Sequence, residues 1–107
     1  MHKVHSFTVP NQDGNIDITV TEKFTVLDVS VHKTNADGAA GDQVTVFNGS
    51  NAITNTIDLN IKNTAITKAK TFNVEHMTVN AGGILRVTAK KTKDVSCAVT
   101  VTGIENM

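Results

Sequence analysis

The side chains of this chain that could carry metal or nucleophilic chemistry are four histidines and one cysteine. The histidines lie at positions 2, 5, 32 and 76, and no two of them show the His-x₃-His spacing of a helical metal site. His5 and His32 would approach each other only if the first and third strands pair. We therefore expect ordinary polar or core histidines and no metal site.

Cys97 is the only cysteine, so the chain has no internal disulfide. It shares its strand parity with Val99 and Val101, where a cysteine acts as a small buried hydrophobe. A catalytic thiolate would need a neighbouring base and an electropositive, partly exposed setting. No serine lies in a nucleophile-elbow context either. We predict that the chain has no catalytic residue and is not an enzyme.

Residues 11–17 carry oxygen-containing side chains at alternate positions and faintly resemble a calcium-binding loop. Counted from Asn11, the twelfth position is Glu22, but Ile16 occupies the sixth position, where an EF-hand loop requires glycine. Asp37 and Asp42 flank a glycine-containing stretch with the same ambiguity. We predict turns at both places and no bound cofactor.

Residues 90–93 (Lys-Lys-Thr-Lys) form a small basic turn. Nucleic-acid binding would normally add a basic net charge and exposed aromatic rings. The formal net charge is zero, and the only aromatic residues besides histidine are four phenylalanines. We expect no nucleic-acid partner, and the lack of Trp and Tyr also weakens a sugar-binding role.

Acidic residues concentrate in residues 1–61 and basic residues in residues 62–107. This asymmetry favours ion pairs between interleaved halves of one folded domain. The alternative is a pair of complementary patches that dock copies on one another or on a partner. No apolar run approaches the ~20 residues of a membrane span, and the N-terminus lacks the apolar core of a signal peptide, so we expect no membrane association.

The fold class follows from β-branched residues in period-2 alternation, punctuated by Asn- and Gly-rich turns. About eight such segments predict an all-β, antiparallel β-sandwich with jelly-roll-like topology, formed as one domain by residues 1–107. An immunoglobulin-like sandwich is the alternative. We expect residues 1–5 to be a flexible N-terminal segment, residues 34–42 an exposed loop and residues 103–107 a short tail.

Three segments allow finer predictions. Between Phe24 and Lys33 the apolar parity changes, with Leu27 in the later register, which indicates either a β-bulge or a strand partly covered on both faces. Residues 95–102 show the best alternation and should form a central strand. Lysines 68 and 70 lie in a weakly apolar strand, a pattern typical of a sheet edge.

The turn and strand pattern also carries a family resemblance. Its segments are Asp28-Val29-Ser30-Val31, Gly41-Asp42-Gln43-Val44-Thr45-Val46-Phe47-Asn48-Gly49, Ala52-Ile53-Thr54, Ile57-Asp58-Leu59 and Ala81-Gly82-Gly83-Ile84-Leu85-Arg86-Val87-Thr88. Over roughly residues 7–102 the chain resembles small β-sandwich proteins of tailed bacteriophages, which are capsid decoration (cement) or head-fibre-base proteins. This resemblance is one of pattern.

The resemblance implies a non-enzymatic virion protein that binds the outer capsid surface and reinforces it. Its partner would be the major capsid protein, its oligomeric state a homotrimer at three-fold positions, and its location the virion after synthesis in the host cytoplasm. The expected partner contacts lie in the N-terminal segment, the 34–42 loop and the lysine-bearing edge. They are His2, Lys3, His5, Asn35, Asp37, Lys68 and Lys70.

Two other function classes remain open. A carbohydrate- or receptor-binding module of a phage particle would show a concave patch lined by aromatic or Asn and Asp side chains. A small cupin-like enzyme would share the jelly-roll scaffold, but it needs a His and Glu metal cluster for which the spacing offers no support.

Overall fold

A computed structural model describes residues 1–105 of the chain. Strands make up 54% of it and helix 3%, which confirms the all-β prediction. In chain order the strands are β1 (His2–Val9), β2 (Gly14–Thr19), β3 (Phe24–Lys33), β4 (Gln43–Asn48), β5 (Asn51–Ala52), β6 (Ile57–Asp58), β7 (Ile66–Lys68), β8 (Thr78–Val79), β9 (Ile84–Lys90) and β10 (Cys97–Glu105). One short 3₁₀ helix, Val74–His76, precedes β8.

The strands form two antiparallel sheets. Sheet A has the order β1-β10-β3-β7, and β8 pairs with β3 along the same edge as β7. Sheet B has the order β2-β9-β4-β5, and β6 also pairs with β4. Since β5 and β6 share one position and β7 and β8 share another, the sandwich has the eight strand positions that the sequence predicts.

The pairing is nested along the chain. β1 pairs with β10, β2 with β9, β3 with β7 and β8, and β4 with β5 and β6. This is the arrangement of a jelly roll, in which one long folded hairpin is wrapped into two sheets. The structure therefore supports the jelly-roll topology over the immunoglobulin-like alternative.

The core lies between the two sheets and is built mainly from valine. In β10, Cys97, Val99 and Val101 are buried, whereas the intervening residues are half-exposed on the outer face. The strand lies between β1 and β3, which confirms its predicted central position. Burial of β-branched side chains on the inner faces of both sheets, at about 25 cal/mol for each Å² of apolar surface, holds the layers together.

The predicted irregularity in β3 is a β-bulge. The register with β10 shifts between Thr102 and Gly103, so that Leu27 has no residue directly opposite it. Phe24 and Val26 are fully buried on one side of the bulge. Leu27 shares its parity with the buried Val29 and Val31 but is 45% exposed, because the bulge turns it to the outer face.

The Asn48-Gly49 pair, typical of tight turns, lies in the hairpin between β4 and β5. Asn48 pairs with Asn51, and Gly49 has a φ of 61°, the conformation that favours glycine at the first central position of a two-residue turn. The Asn48 side chain donates to the carbonyl oxygens of His76 and Thr78 at 3.1 and 2.9 Å. The Asn48 side-chain amide therefore joins sheet B to the 3₁₀ helix and to β8 of sheet A.

Two boundary expectations require correction. Residues 2–5 are not a flexible segment, because they form the first half of β1 and pair with β10. In the predicted tail, residues 103–105 continue β10 to Glu105. Residues 106 and 107 lie outside the described part of the chain.

The uneven charge distribution is largely resolved within the molecule. Acids of the first half pair with bases of the second half in three ion pairs, which are Asp37–Lys62, Asp28–Lys68 and Asp17–Arg86. The last of these is a bidentate pair, with nitrogen–oxygen distances of 2.7 and 2.9 Å. The prediction of intramolecular pairing between interleaved halves is confirmed for these residues.

Candidate functional site

The seven predicted contact residues fall into three separate regions. His2, Lys3 and His5 lie on β1, at one edge of sheet A. Lys68 ends β7 at the opposite edge, and Lys70 follows it. These two edges are three strand spacings apart, about 14 Å. Asn35 and Asp37 are exposed in the loop between β3 and β4.

His5 and Lys3 have defined environments on β1. The ring of His5 packs edge-on against Phe24, with 4.7 Å between ring centroids. Burial lowers the pKa of His5, Lys3 lowers it further and Glu105 opposes this effect. The Nε2 atom of His5 is shielded from solvent and has no hydrogen-bond partner within residues 1–105. Lys3 lies 3.9 Å from Glu105.

Asp37 is the centre of a small polar cleft. Its carboxylate accepts a 2.8 Å hydrogen bond from the backbone N–H of Asn63, which lowers the pKa of Asp37, and Lys62 lies 3.5 Å away. The cleft is open, has a volume of about 390 Å³ and includes Lys93 on its wall. Its lining includes Asp37 and Asn60, side chains of the kind that the glycan- or receptor-binding alternative requires.

Lys68 and Lys70 confirm the predicted edge strand, but they do not form one site. Lys68 Nζ lies 3.2 Å from Asp28 Oδ2 on the outer face of sheet A. The backbone N–H of Lys70 donates to Asn55 Oδ1 at 3.0 Å. Both lysine side chains are exposed at the edge. Among the described residues, Lys68 forms an ion pair and Lys70 does not.

The side chain with the most hydrogen bonds was not predicted. Asp42 is fully buried at the end of the loop that was expected to be exposed. Its carboxylate accepts backbone hydrogen bonds of 2.7–2.9 Å from four residues, which are Ala39, Thr92, Lys93 and Asp94. Burial alone would raise the pKa of Asp42, but these four donors hold it far below its ordinary value.

A buried ion pair lies next to this carboxylate. Lys33 is fully buried, and its Nζ lies 3.4 Å from Asp94 Oδ1 and 3.2 Å from the carbonyl oxygen of Ser96. The backbone N–H of Ser96 donates to Asp94 and lowers the pKa of that carboxyl, with a smaller effect from Lys33. Both carboxylates are therefore ionised and occupied by structural hydrogen bonds, an arrangement suited to fixing loops and not to proton transfer.

Cys97 lies in β10 in the buried position that its parity predicts. Burial raises the pKa of its thiol to about 12, although Lys33 has an opposing effect. At neutral pH the thiol is thus protonated and acts as a small core residue. Among residues 1–105, no group of three His, Cys, Asp or Glu side chains is placed to hold a metal ion.

The outer face of sheet A is formed by β1, β10, β3 and β7. It exposes three apolar side chains, Val4, Leu27 and Ile66, at 54%, 45% and 67% of their surface. Short hydroxyl-bearing and small residues lie between them. These residues lie opposite one another on β1, β10 and β3, and they are Ser6, Thr8, Ala98, Thr100, Thr102 and Ser30. His2 and Lys68 lie at the two edges of this face.

Comparisons with known proteins find no match for this chain. No protein family model, no curated protein and no solved structure matches it. In the part of the chain that the structure describes, no helix has the length and apolar character needed to cross a membrane. The resemblance to phage capsid proteins stays a prediction.

Proposed function

We propose that this chain is a non-enzymatic structural protein that binds the outer surface of a bacteriophage capsid and reinforces it. The observation that supports this proposal most is the outer face of sheet A, where exposed apolar side chains lie among short polar ones. Two of the seven predicted contact residues, His2 and Lys68, lie at its edges. The same face carries the Asp28–Lys68 ion pair, so a partner would meet apolar side chains in the middle and charged ones toward the β7 edge.

The proposed partner is the major capsid protein, and the proposed assembly is a homotrimer at three-fold positions of the shell. Weak contacts would be multiplied over many copies, so that one chain need bury only a modest area. The buried hydrogen bonds of Asp42 and Asp94 support this role, because they fix the loops at one end of the sandwich. A rigid partner loses little conformational entropy on binding.

The test is occupancy on purified phage particles, measured by quantitative mass spectrometry as copies per capsid protein. We expect near-stoichiometric amounts for the wild-type chain. Ile66→Glu places a charge on the outer face and should reduce occupancy at least about tenfold, since a charge buried at an apolar contact costs several kcal/mol. Absence of the wild-type chain from particles would refute the proposal.

Val74→Glu is the matched control for this experiment. Val74 is also an exposed apolar residue, 81% accessible, but it lies in the short 3₁₀ helix. The same change of charge there should leave occupancy unaltered. Equal losses with both variants would place the contact elsewhere on the molecule.

A glycan- or receptor-binding role is a second candidate, favoured only by the open cleft around Asp37. Its lining includes Asn60, Lys62 and Lys93, which can hydrogen-bond to hydroxyl or carboxylate groups. Binding on a glycan array that is lost in Asn60→Ala, together with absence from particles, would favour this role over capsid binding.

A further inference from the structure

The β1 strand forms a long free edge of the sandwich. It is the outermost strand of sheet A, and no strand within residues 1–105 pairs with its outer side. Its eight residues run without a register shift from the His2–Ile104 pair to the Val9–Cys97 pair. Pro10 follows the strand and does not interrupt it.

The hydrogen bonds at the start of β1 show which backbone groups point outward. Met1 and Glu105 exchange two hydrogen bonds. The Met1 amine donates to the Glu105 carbonyl oxygen at 3.3 Å, and the Glu105 N–H donates to the Met1 carbonyl oxygen at 2.8 Å. In an antiparallel ladder, such pairs alternate with pairs that exchange none. The free N–H and C=O groups therefore belong to the even-numbered residues, which are His2, Val4, Ser6 and Thr8.

The other sheet edges are better protected. The β7 edge is three residues long and carries Lys68, and the β5, β6 and β8 segments have two residues each. The β2 edge carries the Asp17–Arg86 ion pair. Short strands and charged side chains are the features that prevent an edge from pairing with another chain. β1 is the longest of these edges and carries uncharged side chains at Val4, Ser6 and Thr8, and its one lysine, Lys3, lies 3.9 Å from Glu105 of the neighbouring strand.

We propose that β1 is a dimerisation edge, through which two copies of this chain pair antiparallel about a two-fold axis at His5. The two A sheets then form one continuous sheet. Because the free backbone groups belong to even-numbered residues, this axis places Val4 opposite Ser6 of the partner subunit and His2 opposite Thr8 of the partner subunit.

The register follows from counting bonds. An axis at His5 uses every free group of both strands and forms about eight hydrogen bonds, two for each of four bonded pairs. An axis at Val4 or at Ser6 leaves one end of each strand without a partner and forms about six. The His5 axis also places no acidic or lysine side chains of like charge opposite each other, since Lys3 lies opposite Phe7 of the partner subunit.

His5 lies on the proposed two-fold axis. Its ring packs against Phe24 of the same chain, on the inner side of sheet A. Directly opposed residues of two antiparallel strands lie about 5 Å apart. The His5 axis therefore places the two imidazole rings next to each other along the continuous sheet.

This inference does not depend on the proposed capsid role. A two-fold contact joins two chains and cannot by itself close a ring of three. If the chain also forms trimers and the β1 contacts join two trimers into one closed hexamer, loss of these contacts halves the mass in the same way.

Ser6→Pro tests the proposal directly. The N–H of Ser6 faces the free edge, so proline removes no hydrogen bond within the chain but blocks a second strand. Analytical ultracentrifugation of the wild-type protein should show a concentration-dependent association that Ser6→Pro reverses to half the mass. Ser6→Thr keeps the N–H and should associate as the wild type does. Circular dichroism would establish that each variant is folded.

Charge pairs test the register. In Val4→Lys/Ser6→Lys, two like-charged pairs face each other across the His5 axis, and the dimer should weaken about tenfold. In Val4→Glu/Ser6→Lys the same positions attract, and the dimer should be at least as tight as the wild type. An axis at Val4 or Ser6 would instead place two glutamates or two lysines together in this second variant and weaken it.

Two results would overturn the proposal. One is a wild-type mass equal to that of folded Ser6→Pro at every concentration up to about 1 mM. The other is equal weakening by both charge variants, which excludes the His5 axis even if Ser6→Pro fails to fold. Ile66 lies at the opposite edge, so unchanged particle binding by Ile66→Glu, together with the wild-type mass, would count against the proposed capsid contact and leave the β1 dimer untouched.

Discussion

At the scale of single residues, Asp42 connects two loops that are about 50 positions apart in the sequence. Its carboxylate receives backbone donors from the loop before β4 and from the turn after β9. Hydrogen bonds to an ionised acceptor are roughly twice as strong as neutral ones. Asp42 therefore determines the conformation of both loops.

Replacing Asp42 with Asn should destabilise the protein by about 2–3 kcal/mol. The amide group turns an NH₂ toward backbone N–H donors and leaves at least one of them unsatisfied in a buried place. Chemical unfolding of the two proteins at pH 7 would measure the difference. Thr92→Val is a useful companion variant, because it removes the hydroxyl contacts with Asp42 and with the Ala40 carbonyl oxygen, keeps the four backbone donors of Asp42 and should cost less.

The same carboxylate makes stability depend on acidity. The pKa of Asp42 is lower in the folded state than in the unfolded chain, so the unfolded state binds more protons as pH falls. Stability from this group is fully present above the ordinary Asp value of about 4 and is lost at lower pH. Asp42→Asn should therefore lose less stability between pH 5 and pH 2 than the wild type. Parallel pH profiles would contradict this explanation.

Lys33 and Asp94 should be strongly coupled. Lys33→Met leaves a buried carboxylate without its cation and should cost about 3 kcal/mol. Asp94→Asn leaves the Lys33 ammonium buried, whereas the double variant removes both charges and should cost less than the sum of the single variants. A double-mutant cycle by urea unfolding would measure the difference, and additive effects would show that the pair contributes no coupling.

Sequence patterns predict some of these residues and not others. The parity of β10 correctly places Cys97 in the core. Lys33 shares its parity with Val29 and Val31, so an inward lysine was detectable from the alternation. Asp42 was not, because its partners are backbone groups of a distant turn and carry no side-chain signature.

At the scale of secondary-structure elements, the bulge in β3 depends on a close contact with β10. A Cβ atom on Gly103 would meet the backbone oxygen of Thr25 and the ring of Phe24. Gly103→Ala should therefore cost about 2 kcal/mol by overpacking. Thr100→Ala, on the half-exposed outer face of the same strand, should have a small effect in the same thermal unfolding measurement. Equal effects would show that the bulge tolerates a side chain.

Alternation predicted the long strands and the bulge well, since each of those signals is local. It failed for residues 2–5, because their order comes from pairing with residues of β10 about 100 positions away. Between β5 and β6 the chain leaves the ladder at residues 53–56, which alternation alone does not indicate. The candidate surface was predicted only in part, because its members belong to strands that become neighbours through the topology.

At the scale of the whole molecule, each sheet depends on a strand near the C-terminal end of this sequence. β10 lies between β1 and β3, and β9 lies between β2 and β4. A fragment of residues 1–94 lacks β10 and should be unfolded, with a random-coil circular dichroism spectrum. A fragment that keeps native-like dispersion in its NMR spectrum would contradict this expectation.

The nested pairing has a consequence for synthesis on the ribosome. Strands β1 to β4 leave the ribosome before their pairing partners β9 and β10 have been made. Their apolar faces therefore stay uncovered until those two strands are synthesised. Folding then requires contacts between distant parts of the chain, which is slow compared with local folding. The nascent chain should therefore be open to chaperones and prone to aggregation until its last quarter emerges.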